Sequence, residues 1–251
     1  MKKHIFHLYF ISLILFSCGE SNEKSDSRIL LNFNHHCDNN ELSNNALIHT
    51  NEAGESYNVQ TLKYILTDIK LIPNEKDHDE IILKDIHFVD FNDPSTMFLE
   101  SEIIENGSYN LSFRFGLDGN TNIANSFTNE TFHASMFWPP MIDSMGMEMG
   151  GGYHYMKLEG AFNNDSTFYN THTGPTMGMD HSFLVNFNMF DININNSTEN
   201  LEYSIEMNIN NWYENPNTVN LAPMIMMNMT KQMQLMSNGM TDVFTIEGIL
   251  D

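Results

Sequence analysis

The feature that most constrains this chain is a period of two. From Arg28 onward, short runs alternate apolar with polar residues, and clusters of Asn, Asp, Gly and Ser separate the runs. Tyr109-Asn110-Leu111-Ser112-Phe113-Arg114-Phe115 is the cleanest case. Successive side chains of an extended strand point to opposite faces, so such a run has one face for a core and one for water. Leu201 to Ile209 repeats the pattern through Leu201, Tyr203, Ile205, Met207 and Ile209, and Phe183 to Ile194 repeats it through Phe183, Val185, Phe187 and Met189. Ile29 to Phe33, Tyr57 to Ile72, Ile81 to Leu83 and Ile86 to Phe91 add further strands. Many strands separated by turn signals predict an all-β chain, a single β-sandwich-like domain with long Met-rich loops. One or two short helices are expected, with Glu100 to Asn106 and Met229 to Ser237 the best segments. The Gly150-Gly151-Gly152 run reads as a turn or hinge. Hydrophobic residues make up 41% of the chain, enough to pack a core.

The first residues read differently. Met1-Lys2-Lys3 is basic, Ile5 to Phe16 is mostly apolar, and Leu15-Phe16-Ser17-Cys18 follows. The apolar run is too short for a stable bilayer span and has the form of an export signal. Leu15 and Ser17 before Cys18 resemble a bacterial lipobox, which predicts a signal peptide over residues 1–17 and lipidation of Cys18. A polar tether over 18–28 then leads into a domain over 29–251. The expected location is extracytoplasmic, lipid-anchored to a bacterial membrane on the periplasmic side or at the cell surface. Loss of Lys2 and Lys3 with the signal takes the net charge from −22 to −24. With Cys18 acylated, Cys37 has no partner for a disulfide. It is either a small buried residue or a thiolate ligand beside His35 and His36.

Eleven Lys and Arg against thirty-three Asp and Glu exclude a sequence-independent grip on nucleic acid, which needs clustered cations. They favour cations as partners. Nineteen Met are concentrated in three segments: Met136 to Met149, Met177 with Met179, and Met224 to Met240. Thioether sulfur is a soft ligand that selects Cu(I), so Met145, Met147 and Met149, set among Gly and Pro, are candidate copper contacts. The third segment is divided evenly between this reading and core packing. Among His35, His36, His87, His133, His154, His172 and His181 there is no helical His-x-x-x-His pair and no hydrolase motif. A site would have to be assembled from separate strands.

An ordered set of short motifs resembles the MbnP-like family. It begins with Leu31-x-Phe33-x-His35, Tyr57-x-Val59, Leu62-Lys63-Tyr64-Ile65-Leu66 and Ile86-His87-Phe88-Val89-Asp90. It continues through Phe113-x-Phe115-Gly116-Leu117-Asp118, Met136-Phe137-Trp138, Gly152-Tyr153-x-Tyr155-Met156-Lys157-Leu158-Glu159-Gly160 and His172-x-Gly174. The resemblance implies an extracytoplasmic copper protein, not an enzyme, that works with a dihaem partner of the cytochrome c peroxidase type, MbnH-like. Such a partner oxidises a Trp of the copper protein to kynurenine, and Trp138 occupies that position. It also implies His35, His87 and His172 as first-choice copper ligands, with His154 as an added ligand or a surface residue. This chain departs from the pattern at Pro139-Pro140-Met141, where relatives often carry a second Trp. The rival reading is a lipoprotein without metal, an Asn-rich structural or adhesive module.

Overall fold

The computed structural model describes residues 27–43, 49–75, 78–142, 144–146, 148–149, 151–163, 167–195 and 200–248. The expected signal peptide, Cys18 and Met147 lie outside these residues. Ser27 and Arg28, at the end of the expected tether, are tied to the domain: the Ser27 carbonyl accepts from Ile104 N and the Arg28 carbonyl from Leu201 N.

The chain folds as one β domain with two main sheets among the described residues, as the alternation predicts. The smaller sheet is built on Ile29–Cys37, which pairs in parallel with Leu201–Asn208; Phe244–Gly248 extends it on one side. The larger sheet curls into a half barrel around the long Thr61–Pro73 strand. That strand is paired with Ile81–Asp90, Gly107–Phe115 and Met156–Phe162, and Thr167–Thr173 pairs with Met156–Phe162. The inner faces of the two sheets meet in a core rich in aromatic rings. Trp212, fully buried, packs against Phe115, Phe183 and Phe244 there.

Two departures from the expected elements have local causes. Glu100 to Asn106 is not helical. Ile104 is buried and its neighbour Ile103 is exposed, the opposed orientation of adjacent residues in extended chain, and the backbone is held by the bond to Ser27. The Phe183 to Ile194 run divides into Phe183–Asn186 and Ile192–Ile194, both paired to Gly107–Phe115, with a turn closed by Phe190 N on the Phe187 carbonyl between them. The other expected helix is present as Met229–Gly239, capped by the Asn228 side chain accepting from Lys231 N.

Register decides which residues share a face of the large sheet. Tyr64 stands opposite Met156, and Met156 opposite Thr173; these face the core. One residue along, Lys63, Lys157 and His172 are aligned across three strands, and they face the other way. Phe88, opposite Ile65, also faces outward and meets Phe132. The segment between the Gly107–Phe115 and Met156–Phe162 strands therefore forms a cover over the outer face. The cover contains a short helix, His133–Met136, and a two-stranded pair of Phe137–Trp138 with Gly152–Tyr153.

Candidate metal centre

The first-choice histidines are not brought together. His35 lies between the sheets with its Nε2 3.0 Å from the Tyr64 hydroxyl and its ring edge-on to Phe91. Burial lowers its pKa to about 3, so it sits in the core as a neutral ring. His87, opposite Leu66, also faces inward; its ring stacks on Phe33 and its Nε2 lies 3.0 Å from the Thr96 carbonyl. His172 is on the opposite face of the same sheet. The three residues are spread over both faces because their strand positions differ in parity, which no spacing in the sequence displays. Cys37 is a buried small residue whose Sγ is 3.1 Å from the Tyr57 hydroxyl, and burial pushes its thiol up to about 12.

His172 instead meets His154. Their ring centroids are 4.8 Å apart and inclined at 62°. His172 belongs to the sheet and His154 to the end of the cover, so the pair is clasped where cover and sheet meet. His154 is 7% exposed, and burial, with the neighbouring His172 and Lys157, lowers its pKa to about 2. Its Nδ1 is buried without a hydrogen-bond partner. Such an atom forgoes a bond it would make in water, a state it shares with His35 Nδ1 and His181 Nε2.

Trp138 stacks on His154. The antiparallel pairing puts it opposite Gly152, and the indole lies diagonally over His154, two residues along. Gly152 has a φ of +91°, and a Cβ there would collide with the Asn122 side chain. The Asn122 amide in turn holds both polar backbone groups of Tyr153. The His154 amide completes the ladder by donating to the Met136 carbonyl. His172 Nε2 is 2.6 Å from Glu159 Oε1, and the Lys157 ammonium donates to the Ser135 carbonyl. Behind the pair, Gln232 Nε2 donates to the His172 carbonyl at 2.8 Å.

The MbnP family model matches residues 26–230. The chain belongs to the MbnP family. MbnP from Methylosinus trichosporium has the same fold: the TM-score is 0.58 at 12% identity, with 89% of this chain and 99% of that one covered. No curated protein matches by sequence.

Other expected residues of this MbnP-family chain are distributed around the cover. Met141–Ile142 and Glu148–Met149 form a small ladder, and Met145 is 76% exposed at its tip. Met177 and Met179 are exposed on a turn closed by paired bonds between Thr176 and Met179. From the third Met segment, Met226 is buried, its methyl lying over Gly174, while Met224, Met233 and Met240 are exposed.

Glu159 was not among the candidate residues. It reaches His172 diagonally, since the direct partner of His172 is Lys157 and that of Glu159 is Asn170. The signal for it was the polar stretch Asn163-Asn164-Asp165-Ser166 between Phe162 and Thr167. Treated as a hairpin, it sets the register that aligns Lys157 with His172.

Among the described residues no group of three or more His, Cys, Asp and Glu is placed to hold a metal ion. The His154–His172 pair offers two imidazoles, fewer than the about four ligands of a closed zinc site and unlike the about six to eight oxygens of calcium. The nearby charges are committed elsewhere, Glu159 to His172 and Lys157 to Ser135. Imidazole nitrogen suits copper, as it suits zinc, iron and nickel.

Proposed function

We propose that this chain is an extracytoplasmic, lipid-anchored copper-binding protein, not a catalyst, that holds copper between His154 and His172 beside Trp138. The observation that carries the reading is the buried, unpartnered Nδ1 of His154 beside a second imidazole. Membership of the MbnP family supports copper as the metal. It also supports an MbnH-like dihaem peroxidase as the partner that converts Trp138 to kynurenine. That conversion would be a four-electron oxidation in which two equivalents of peroxide, reduced to water, cleave the indole C2–C3 bond to N-formylkynurenine; water then hydrolyses the formyl group, which leaves as formate. It would add an aniline nitrogen and a carbonyl oxygen next to His154, where the parent indole offers only a weak donor. The acidic charge of the chain favours cation capture. The Leu15-x-x-Cys18 sequence supports the lipid anchor.

The test is a titration of the mature domain with Cu(I) against a competing chelator. Stoichiometric binding is expected, lost in His154→Ala and His172→Ala and retained in His35→Ala and His87→Ala that remain folded. Equal binding by both pairs of variants would overturn the site. A melting temperature indifferent to copper would turn the reading towards the adhesive module. Protein from its own host should carry Trp138 heavier by about 4 Da. An unaltered Trp138 in cells that express the partner would remove that part.

A further inference from the structure

Two imidazoles facing each other do not make a metal site unless each turns a lone pair, and not a hydrogen, towards the ion. For His172 the structure contains the device that settles this. Its Nε2 lies 2.6 Å from Glu159 Oε1. A carboxylate only accepts, so Nε2 carries the hydrogen, and Nδ1 is the nitrogen left to offer a lone pair. Glu159 is itself held by strand pairing on both sides, opposite Thr61 and Asn170, so its position does not depend on a loop. From the other side, the Gln232 amide on the His172 carbonyl fixes the backbone that carries the ring.

We propose that Glu159 is a positioning residue: it locks His172 in the tautomer hydrogenated at Nε2, so that His172 presents Nδ1, alongside the unpartnered Nδ1 of His154, to one soft cation. This rests on the copper reading of the His154–His172 pair and adds to it the ligating atoms and the residue that selects them. Carboxylate–imidazole–metal relays of this form orient the ring and make the ligating nitrogen more basic. Lys157, the direct cross-strand partner of His172, cannot take this role, because an ammonium only donates and its own is turned to Ser135.

The experiment has a metal-free arm and a metal arm. Long-range nitrogen–proton NMR of the copper-free protein reports which nitrogen of His172 carries the hydrogen. The wild type is expected in the Nε2–H form, Glu159→Gln to keep that form through its amide oxygen, and Glu159→Ala to give a mixture of tautomers. In competition titrations Glu159→Ala should bind Cu(I) about 10- to 100-fold more weakly, with Glu159→Gln in between. In loaded wild type the shifted nitrogens should be Nδ1 of both rings. An Nδ1–H form of His172 in the copper-free wild type overturns the inference, and that measurement needs no variant to fold. So does unchanged Cu(I) affinity in a folded Glu159→Ala. Both results leave the copper site standing if His154→Ala and His172→Ala abolish binding, whereas unchanged binding in those two variants defeats the site itself.

Discussion

The Trp138 indole and the His154 imidazole lie in planes 12° apart, with ring centroids separated by 5.5 Å. This neighbour of the proposed site is therefore also its optical probe. The only other tryptophan, Trp212, is fully buried among Phe115, Phe183 and Phe244, on the core side of the large sheet. Copper added to unmodified protein is expected to quench the Trp138 component of the emission and leave that of Trp212. In Trp138→Phe the copper-dependent change should disappear while copper still binds, as read by chelator competition. Full quenching in that variant would place the metal elsewhere.

His35 makes stability depend on pH. Its folded pKa is lowered to about 3 by burial first and by His36 second, against 6.5 for the ordinary side chain. Between these values the unfolded chain binds a proton that the folded chain does not. Stability from this group is therefore full above about pH 6.5 and falls as the pH drops towards 3, by about 1.4 kcal/mol per pH unit. Denaturant unfolding of the copper-free protein at pH 7, 6, 5 and 4 should show this fall. His35→Leu should flatten the slope by about that amount per unit, even though it also leaves the Tyr64 hydroxyl without its partner. An unchanged slope would show that His35 titrates normally.

Gly239 closes the long helix against the core. Ordinary helix propensity predicts that Gly239→Ala stabilises by up to about 1 kcal/mol. Here the added methyl would collide with the Phe183 ring and approach Trp212 Cζ3 within 2.8 Å. Both rings are buried, so overpacking is expected to decide the sign, and the substitution should destabilise by about 1 to 3 kcal/mol. Denaturant melts of the pair give the answer directly, and a more stable variant would refute the packing argument.

Cys37 should be chemically silent. Burial, opposed in part by the Tyr57 hydroxyl, pushes its thiol up to about 12. At pH 8 about one thiol in ten thousand is ionised, and the thiolate is the reactive form. A domain starting after Cys18 should resist maleimide labelling while folded and react fully in denaturant. Rapid labelling of the native domain would show that the Cys37–Tyr57 contact opens readily.

Much of the scaffold could be read from local pattern. Period-two runs such as Tyr109 to Phe115 became strands because side-chain alternation is a property of the strand itself. Met229–Gly239 formed where a helix was expected, and the structure adds the cap supplied by Asn228. Glu100 to Asn106 was misread because paired isoleucines without a cap fit either geometry, and only the contact of Ile104 with Ser27 chooses. The site was legible by composition and not by membership. His154, His172 and Trp138 were all singled out, yet His35 and His87 were ranked with His172 although a sheet stands between them.

The order of residues by itself determined that this chain is a β protein, that its acidic surface is unsuited to nucleic acid, and which soft and aromatic groups are available. Those follow from side-chain chemistry and from periodicities only a few residues long. Tertiary structure alone decided which imidazoles meet. That depends on strand register and on the face each position takes, and a shift of one residue sends a side chain to the other side of the sheet. His172 came to face His154 and Glu159, instead of His35, through pairings that span the chain from Thr61 to Thr173.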